Sequence, residues 1–344
     1  MSKKDIRALS KNQLRTFFVE KGDKPFRGNQ VYEWLWSKTA HTFEDMTNLS
    51  KETRDMLEQH FTINHIEVDD MQRSKDGTIK NAVRLHDGLI VESVLIPTSD
   101  RTTACVSSQV GCSLDCEFCA TAQLKRMRNL NADEIYDQVA AINLESIKTH
   151  RHKLSNIVYM GMGEPLMNYN NVIKSIEMIT SEEGLGMSPK RITVSTSGLP
   201  KMIKKLADDE VKFNLAVSLH SAIEETRNKI MPFSKKFPLT DLRESLEYWY
   251  AKTQNRITYE YVVWKDINDK QEDINALVTF CSYVPCKVNI IEYNPIDDGK
   301  YQQASSKATN NYVYALEKNG IVVNVRRSRG KDIDAACGQL ANKS

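Results

Sequence analysis

Nowhere in these 344 residues do eighteen apolar residues run together, and the opening Met1-Ser-Lys-Lys-Asp-Ile-Arg has no apolar segment of the kind a secretory leader carries. The expectation is a chain without a membrane span, working in the cytoplasm. Neither sign of charge dominates: 47 Lys and Arg against 45 Asp and Glu leave a formal +2, so any nucleic-acid contact must come from a local basic surface. No coiled coil or conspicuous apolar stripe is visible, which leaves a monomer as the expectation. With 40% hydrophobic and 27% charged residues the composition is globular rather than disordered.

The seven cysteines are an odd number, which in a cytosolic chain favours metal ligands or reactive thiols over a disulfide scaffold. Cys281 and Cys286 lie among apolar residues and read as packing thiols. Cys112, Cys116 and Cys119 stand at C-x3-C-x2-C spacing. Cysteines so placed can hold three corners of a cubane iron cluster and leave its fourth iron open, and the second ligand pair that a closed zinc site uses is missing nearby. On spacing alone, zinc and an inert thiol set remain alternatives.

From Asp5 to Phe61 the apolar spacing is helical, punctuated at Gly22-Asp23-Lys24-Pro25, with Ser50 an N-cap for a last helix reaching His60. Thr78 to Leu85 and Leu89 to Ile96 read as two strands joined through His86-Asp87-Gly88. Glu92 interrupts the second strand. It either points to solvent by alternation or, in an apolar setting, becomes a proton carrier. From residue 102 onward strands alternate with helices: Thr102 to Ser107, Asn156 to Met160, Arg191 to Ser195, Phe213 to Leu219, Ile257 to Val263, Lys287 to Glu292 and Ile321 to Val325, with helices such as Ala132 to Ser146 and Leu239 to Ala251 between them. The fold class expected is α/β: an open, partial parallel α/β barrel of about six βα units, with a small N-terminal helical domain and a β-hairpin extension. The expected divisions are a helical domain over 1–63, a linker and the hairpin extension over 64–97, and the barrel with a C-terminal cysteine loop over 98–344.

Unusual residues gather where those strands end: Cys105 through Cys119, Gly161-Met162-Gly163-Glu164-Pro165, Ser195-Thr196-Ser197-Gly198, Ser218-Leu219-His220 and Asn294-Pro295. Alone, a Gly-x-Gly is a tight turn and His220 a structural histidine. Their recurrence at one end of a parallel sheet favours a functional reading, and such small and polar groups would suit a ligand with an amino acid end, a ribose and an adenine ring.

The cluster motif, with Phe118 before the third cysteine, resembles that of radical S-adenosylmethionine enzymes. Gln109-Val-Gly-Cys, Met160-Gly-Met-Gly-Glu-Pro, Thr193-Val-Ser-Thr-Ser-Gly, Ser218-Leu-His and Asp334-Ala-Ala-Cys337-Gly-Gln-Leu narrow the resemblance to the ribosomal and transfer RNA adenine-C2 methyltransferases, from about Asn81 to Leu340. The helical N-terminal part is similar to that family's accessory domain, to which RNA binding is assigned.

The resemblance implies methylation of adenine C2 in 23S rRNA, at the peptidyl transferase centre, and in tRNA beside the anticodon. It implies a 4Fe-4S cluster on Cys112, Cys116 and Cys119, two molecules of S-adenosyl-L-methionine consumed per methylation, and an electron donor such as flavodoxin or ferredoxin. Cys337 is then the methyl-carrying thiol, Cys105 the thiol that resolves the RNA adduct by forming a disulfide with Cys337, and Glu92 the proton acceptor. Gly163, Glu164, Ser195, Ser218, Leu219, His220 and Asn294 would hold S-adenosylmethionine. Lys125-Arg126-x-Arg128 and Arg326-Arg327-x-Arg329-Gly-Lys331 are candidate phosphate contacts, against the plainer reading of solvated charge. Two rival functions stand: the sister activity at adenine C8, and a zinc-stabilised RNA-binding module without catalysis. The family often places a Gly just after the cluster loop, and Ala122 to Met127 has none.

Overall fold

A computed structural model describes residues 3–296 and 299–342. Three helices, α1 (Lys11–Glu20), α2 (Phe26–Trp36) and α3 (Lys51–His60), build the N-terminal part, and two short strands, β1 (Lys4–Asp5) and β2 (Phe61–Thr62), pair in parallel to bring its ends together. Ser10 and Gln13 form a capping box on α1, and the Ser50 hydroxyl accepts the Thr53 amide at the start of α3. Leu14, Phe18, Val31, Leu35 and Leu57 form the apolar interior. This unit is tied to the barrel by an ion pair: the buried Arg7 guanidinium makes two parallel 2.6 Å hydrogen bonds to the Asp137 carboxylate.

Ten strands share one sheet. β3 (Glu67–Arg73), β4 (Ile79–Arg84) and β5 (Ile90–Pro97) are antiparallel neighbours, and β5 pairs antiparallel with β6 (Thr102–Cys105). A small ribbon of β7 (Gln109–Val110) and β8 (Arg128–Asn129) brackets the cysteine loop. From β6 onward the main sheet is parallel, through β9 (Asn156–Tyr159), β10 (Ile192–Thr196), β11 (Asn214–Ser218), β12 (Ile257–Val262), β13 (Cys286–Ile291) and β14 (Val322–Arg326). The spatial order is β14-β13-β12-β11-β10-β9-β6-β5-β4-β3. Helices α4 (Ala132–His150), α5 (Tyr169–Thr180), α6 (Pro200–Asp208), α7 (Glu224–Ile230), α8 (Leu239–Thr253), α9 (Gln271–Cys281) and α10 (Ser306–Lys318) supply the crossovers.

The barrel is open, as the strand count anticipates. β14 is an edge, with Val322 49% and Val325 52% exposed, and on the other side the sheet continues past β6 into antiparallel strands. The hairpin of β4 and β5 extends the barrel sheet beyond β6, as expected, and one feature differs from the sequence reading. The sequence pattern predicts linker where β3 stands, because Glu-Val-Asp-Asp-Met-Gln-Arg has no apolar alternation; the strand forms because the edge of β4 offers unpaired backbone groups, and its side chains stay largely exposed. Cys281 and Cys286 are buried among apolar residues, as expected.

After β14 the chain turns back as a strap, residues 328–342, across the open side. The Asp76 carboxylate accepts the Gly330 amide at 2.9 Å, the Ser74 hydroxyl donates to Asp332 at 2.6 Å, and the Asn342 amide group donates to the Ile90 carbonyl at 2.8 Å. Gly330 sits at φ +67°, where a β-carbon would meet that of Ala335 at 2.7 Å.

Candidate active site

The cysteine loop runs between β7 and β8, under the carboxyl ends of the parallel strands. Gly111, at φ +71°, allows the tight start: a β-carbon there would strike the Lys125 carbonyl oxygen at 2.5 Å. Its far side packs on the segment after α7, through the Glu117 amide on the Ile230 carbonyl at 3.0 Å and the Phe233 amide on Asp115 at 2.7 Å. Residues 122–127 continue without any positive φ, so the conformation here does not call for the missing glycine.

One cavity is lined by Cys112, Cys116 and Cys119 together with Gly163, Glu164, Ser195, Ser218, His220, Asn294 and Cys337. Burial pushes the Cys112 thiol up to about 11 and Cys116 well above its ordinary value, with the neighbouring thiols adding to both. Grouped thiols in such a setting are suited to compensation by metal. Yet among the described residues no three His, Cys, Asp or Glu side chains converge closely enough to hold a single ion. Three thiols on one enclosed wall beside the strand-end groups are residues that could hold three corners of an iron-sulfur cluster.

The strand ends shape the rest. Gly163 has φ +91°, and a β-carbon would lie 2.4 Å from that of Gln109, so the Gly-x-Gly turn is locked against β7. Gln109 also accepts the Glu164 amide at 2.9 Å. The Glu164 carboxylate accepts the amides of Leu166 at 3.0 Å and Ser197 at 2.7 Å, which staples the end of β9 to that of β10; burial raises its pKa. His220, at φ +55°, accepts the Val262 amide on Nδ1 at 3.2 Å. Burial, with the nearby Arg227 charge, lowers its pKa to about 3, so it is a neutral ring and presents Nε2–H. Phe118 packs edge-on against it, centroids 4.8 Å apart.

Leu219 does not line the cavity. Its amide donates to the Glu260 carbonyl at 3.0 Å, and its own carbonyl accepts from Arg227. Arg227 is a residue the sequence reading missed. Buried, it also donates to the carbonyls of Ser218 at 3.0 Å and Ser197 at 2.7 Å, fixing the ends of β10 and β11 from behind; burial lowers its pKa to about 10, so it stays cationic. A lone Arg within Glu-Glu-Thr-Arg-Asn-Lys carried no signal of this.

Cys337 is exposed, but to the interior. It lines this cavity and an adjoining one that also holds Cys105, Glu260, Arg101, Arg326, Arg327 and Arg329. Enclosure raises its thiol pKa, with the Glu260 charge adding to the rise, and full burial pushes Cys105 up to about 12. The strap is docked on the cluster loop: the Ala120 amide donates to the Gly338 carbonyl at 2.7 Å, the Thr121 hydroxyl to Leu340 at 2.6 Å, and the Asn294 side chain to the Cys337 carbonyl at 3.3 Å.

Glu92 is buried yet lines neither cavity. The solvent-pointing reading fails, and its surroundings are not apolar: the carboxylate lies 3.1 Å from the Lys80 ammonium and accepts the strap amides of Ala341 at 2.8 Å and Asn342 at 3.1 Å. Of the basic words, Arg326, Arg327 and Arg329 face the Cys105–Cys337 cavity, but Arg128 is consumed within the protein by Asp87 and Glu134. The phosphate reading does not hold for Arg128, because its donors are already directed at carboxylates.

No helix is long and apolar enough to cross a membrane, among the described residues. Residues 4–63 match the family model of the ribosomal RNA large subunit methyltransferase N-terminal domain, and residues 106–278 that of the radical SAM superfamily. The chain is 76% identical to the probable dual-specificity RNA methyltransferase RlmN of Flavobacterium johnsoniae, covering 100% of this chain and 98% of the relative. It is also 76% identical to that of Flavobacterium psychrophilum, with 100% and 99% covered. A crystal structure of a radical SAM methyltransferase from Sphaerobacter thermophilus superposes with a TM-score of 0.92 at 35% identity, over 98% of this chain and 99% of that one. Sequence and fold agree over the whole length, and the chain belongs to the dual-specificity RNA methyltransferases of the radical S-adenosylmethionine superfamily.

Proposed function

We propose that this protein methylates the C2 carbon of adenine in 23S rRNA and in tRNA, in the cytoplasm and as a monomer, through a methyl group carried on Cys337. The observation that carries the reading is the strap: it delivers Cys337 to the wall between the cavity of Cys112, Cys116 and Cys119 and the cavity of Cys105. When bound by those three thiols, a 4Fe-4S cluster supplies the electron, drawn from a flavodoxin- or ferredoxin-like donor, that cleaves S-adenosylmethionine to a 5′-deoxyadenosyl radical.

The chain's own residues do the rest. Gly163, Glu164, Ser195, Ser218, His220 and Asn294 orient S-adenosylmethionine, with Leu219 supporting His220 from the backbone. The neutral His220 offers a donor without adding charge. The Cys337 thiol takes a methyl from a first S-adenosylmethionine; after hydrogen abstraction by the radical from a second, its methylene carbon adds to C2. C2 lies between two ring nitrogens and is electron-poor, which favours a carbon radical over polar displacement. Glu92 is assigned the proton lost from C2, the adduct would pass its unpaired electron back to the cluster when bound, and the Cys105 thiolate then attacks the Cys337 sulfur, whose bond to the methylene carbon breaks with its pair on carbon; that carbon takes a proton to become the methyl group, and a Cys105–Cys337 disulfide remains. Arg101, Arg326, Arg327 and Arg329 meet the RNA backbone at the mouth, and residues 1–63 add a further RNA contact. An unstacked loop base is the substrate that can enter.

Nucleoside analysis of RNA after anaerobic turnover should yield 2-methyladenosine; 8-methyladenosine in its place would transfer the assignment to the sister activity. Reconstituted protein should be brown with about four irons per chain. Stoichiometric zinc without iron uptake would leave only the binding-module reading. Cys105→Ala should leave RNA covalently attached to protein, and normal turnover by that variant would remove Cys105 from the scheme.

A further inference from the structure

Methylation of Cys337 poses a problem that the residues named so far leave open. A cysteine at neutral pH is mostly the protonated thiol, a poor nucleophile until its proton leaves. Among the described residues, three carboxylates close to the site are already engaged. Both oxygens of Glu164 accept backbone amides. Glu92 lines neither cavity and is held by Lys80 and the strap. Glu292, at the outer rim, pairs with Lys331 and accepts the Ser328 amide.

Glu260 is different. It is buried on β12 and lines both cavities that Cys337 lines, and in the cavity shared by Cys105 and Cys337 it is the one carboxylate among the described residues. Ser218, Glu260, Asn289 and Asn324 stand in register across β11, β12, β13 and β14. Along that row Asn324 donates to Asn289 at 3.3 Å, and Asn289 donates to Oε1 of Glu260 at 2.7 Å. One carboxylate oxygen is thereby oriented, while Oε2 has no hydrogen-bond partner among the described residues. Arg326 on β14 and Lys287 on β13 are the cations near it, and burial outweighs them to raise its pKa, which suits a group that must take up a proton.

We propose that Glu260 is the proton acceptor for Cys337 in the S-methylation step, an inference that rests on the methyl-carrying role of Cys337 proposed above. The Cys337 S–H bond breaks and its proton passes to Oε2 of Glu260. The freed electron pair on sulfur forms the new S–CH3 bond. The bond between methyl and sulfonium breaks with its pair remaining on the sulfur of S-adenosylhomocysteine. Glu260 ends the step as a neutral acid and returns its proton to water through the cavity when the product leaves.

The test compares wild type, Glu260→Gln and Glu260→Asp, each reconstituted, for iron content, S-adenosylmethionine affinity and the rate at which the Cys337 peptide gains one methyl by mass spectrometry. Glu260→Gln keeps the shape and the Asn289 contact, so iron and affinity should stay at wild-type values while methylation slows by at least about 100-fold. Glu260→Asp should retain more than about a tenth of the rate. If Glu260 merely burdens the thiol with its charge, Glu260→Gln would methylate faster than wild type, and that sign, or an unchanged rate, overturns the proposal. Loss of affinity in step with the rate would make Glu260 a binding group and overturn it equally. Should Glu260→Gln fail to fold, a wild-type rate in Glu260→Asp combined with an equal rate in a folded Glu260→Ala would do the same. Wild-type protein that never gains the methyl would instead overturn the role of Cys337 itself.

Discussion

At the scale of single residues, backbone conformation decides more of the site than charge does. Gly163 illustrates why: at φ +91°, with Gln109 atoms from 2.4 Å to 2.8 Å from any β-carbon, Ala is excluded both by torsion and by space. Gln109 cannot yield, because it is buried and holds the Glu164 amide at 2.9 Å. Gly163→Ala should lower stability by about 1–3 kcal/mol in urea unfolding and weaken S-adenosylmethionine binding at least about tenfold. Unchanged affinity would separate the turn from the ligand. The Gly-x-Gly word was legible in the sequence, but its reason was not, since the partner that fills the space lies more than fifty residues away. Glu92 shows the reverse: its burial and its Lys80 partner were hidden, because pairing with an adjacent antiparallel strand leaves no local pattern.

Among the elements, the strap is the one whose placement matters most to Cys337, and Asp76 is its outer anchor. Partial burial raises the Asp76 carboxyl, but hydrogen bonds from Thr78, the Gly330 amide and Ser74 outweigh it and hold the pKa at about 2. A carboxyl lowered on folding stabilises the folded chain above about pH 4, and that contribution disappears as pH falls from about 4 to about 2. The site is largely exposed, so the effect is modest: Asp76→Ala should increase hydrogen exchange across residues 328–342 by about fivefold near neutral pH, with no further increase in the acid window where wild type loosens. Equal protection in the variant would show that the Thr121, Asn294 and Glu92 contacts hold the strap unaided. The parallel strands were visible as apolar runs ending in polar words. β3 was not, because an edge strand with exposed side chains owes its existence to a partner's backbone and not to its own composition.

For the whole molecule, the question is what fixes the helical unit to the barrel. Arg7 and Asp137 are joined by two 2.6 Å hydrogen bonds, with 2% and 7% of their side-chain surface exposed, and Arg7 also lies over Trp36 at 4.6 Å. Removing the cation strands Asp137 in the interior. Arg7→Ala should therefore cost about 3–5 kcal/mol in urea unfolding, and Arg7→Met with Asp137→Leu markedly less than that. A loss below about 1 kcal/mol for Arg7→Ala would mean that water reaches the pair once it is broken.

By itself the sequence determined the cysteine triad, the helical start and the strand rhythm that makes an open barrel, because ligand spacing and hydrophobic period are local properties. Only the tertiary structure decided that Cys105 and Cys337 share a cavity and that Arg227 braces two strand ends. It also decided that a strap closes the open side onto Asp76 and Glu92, and that Glu260 and Cys337 line the same two cavities. Each of these depends on side chains from distant strands meeting in one enclosed space, where burial, and not sequence neighbours, sets protonation and partners.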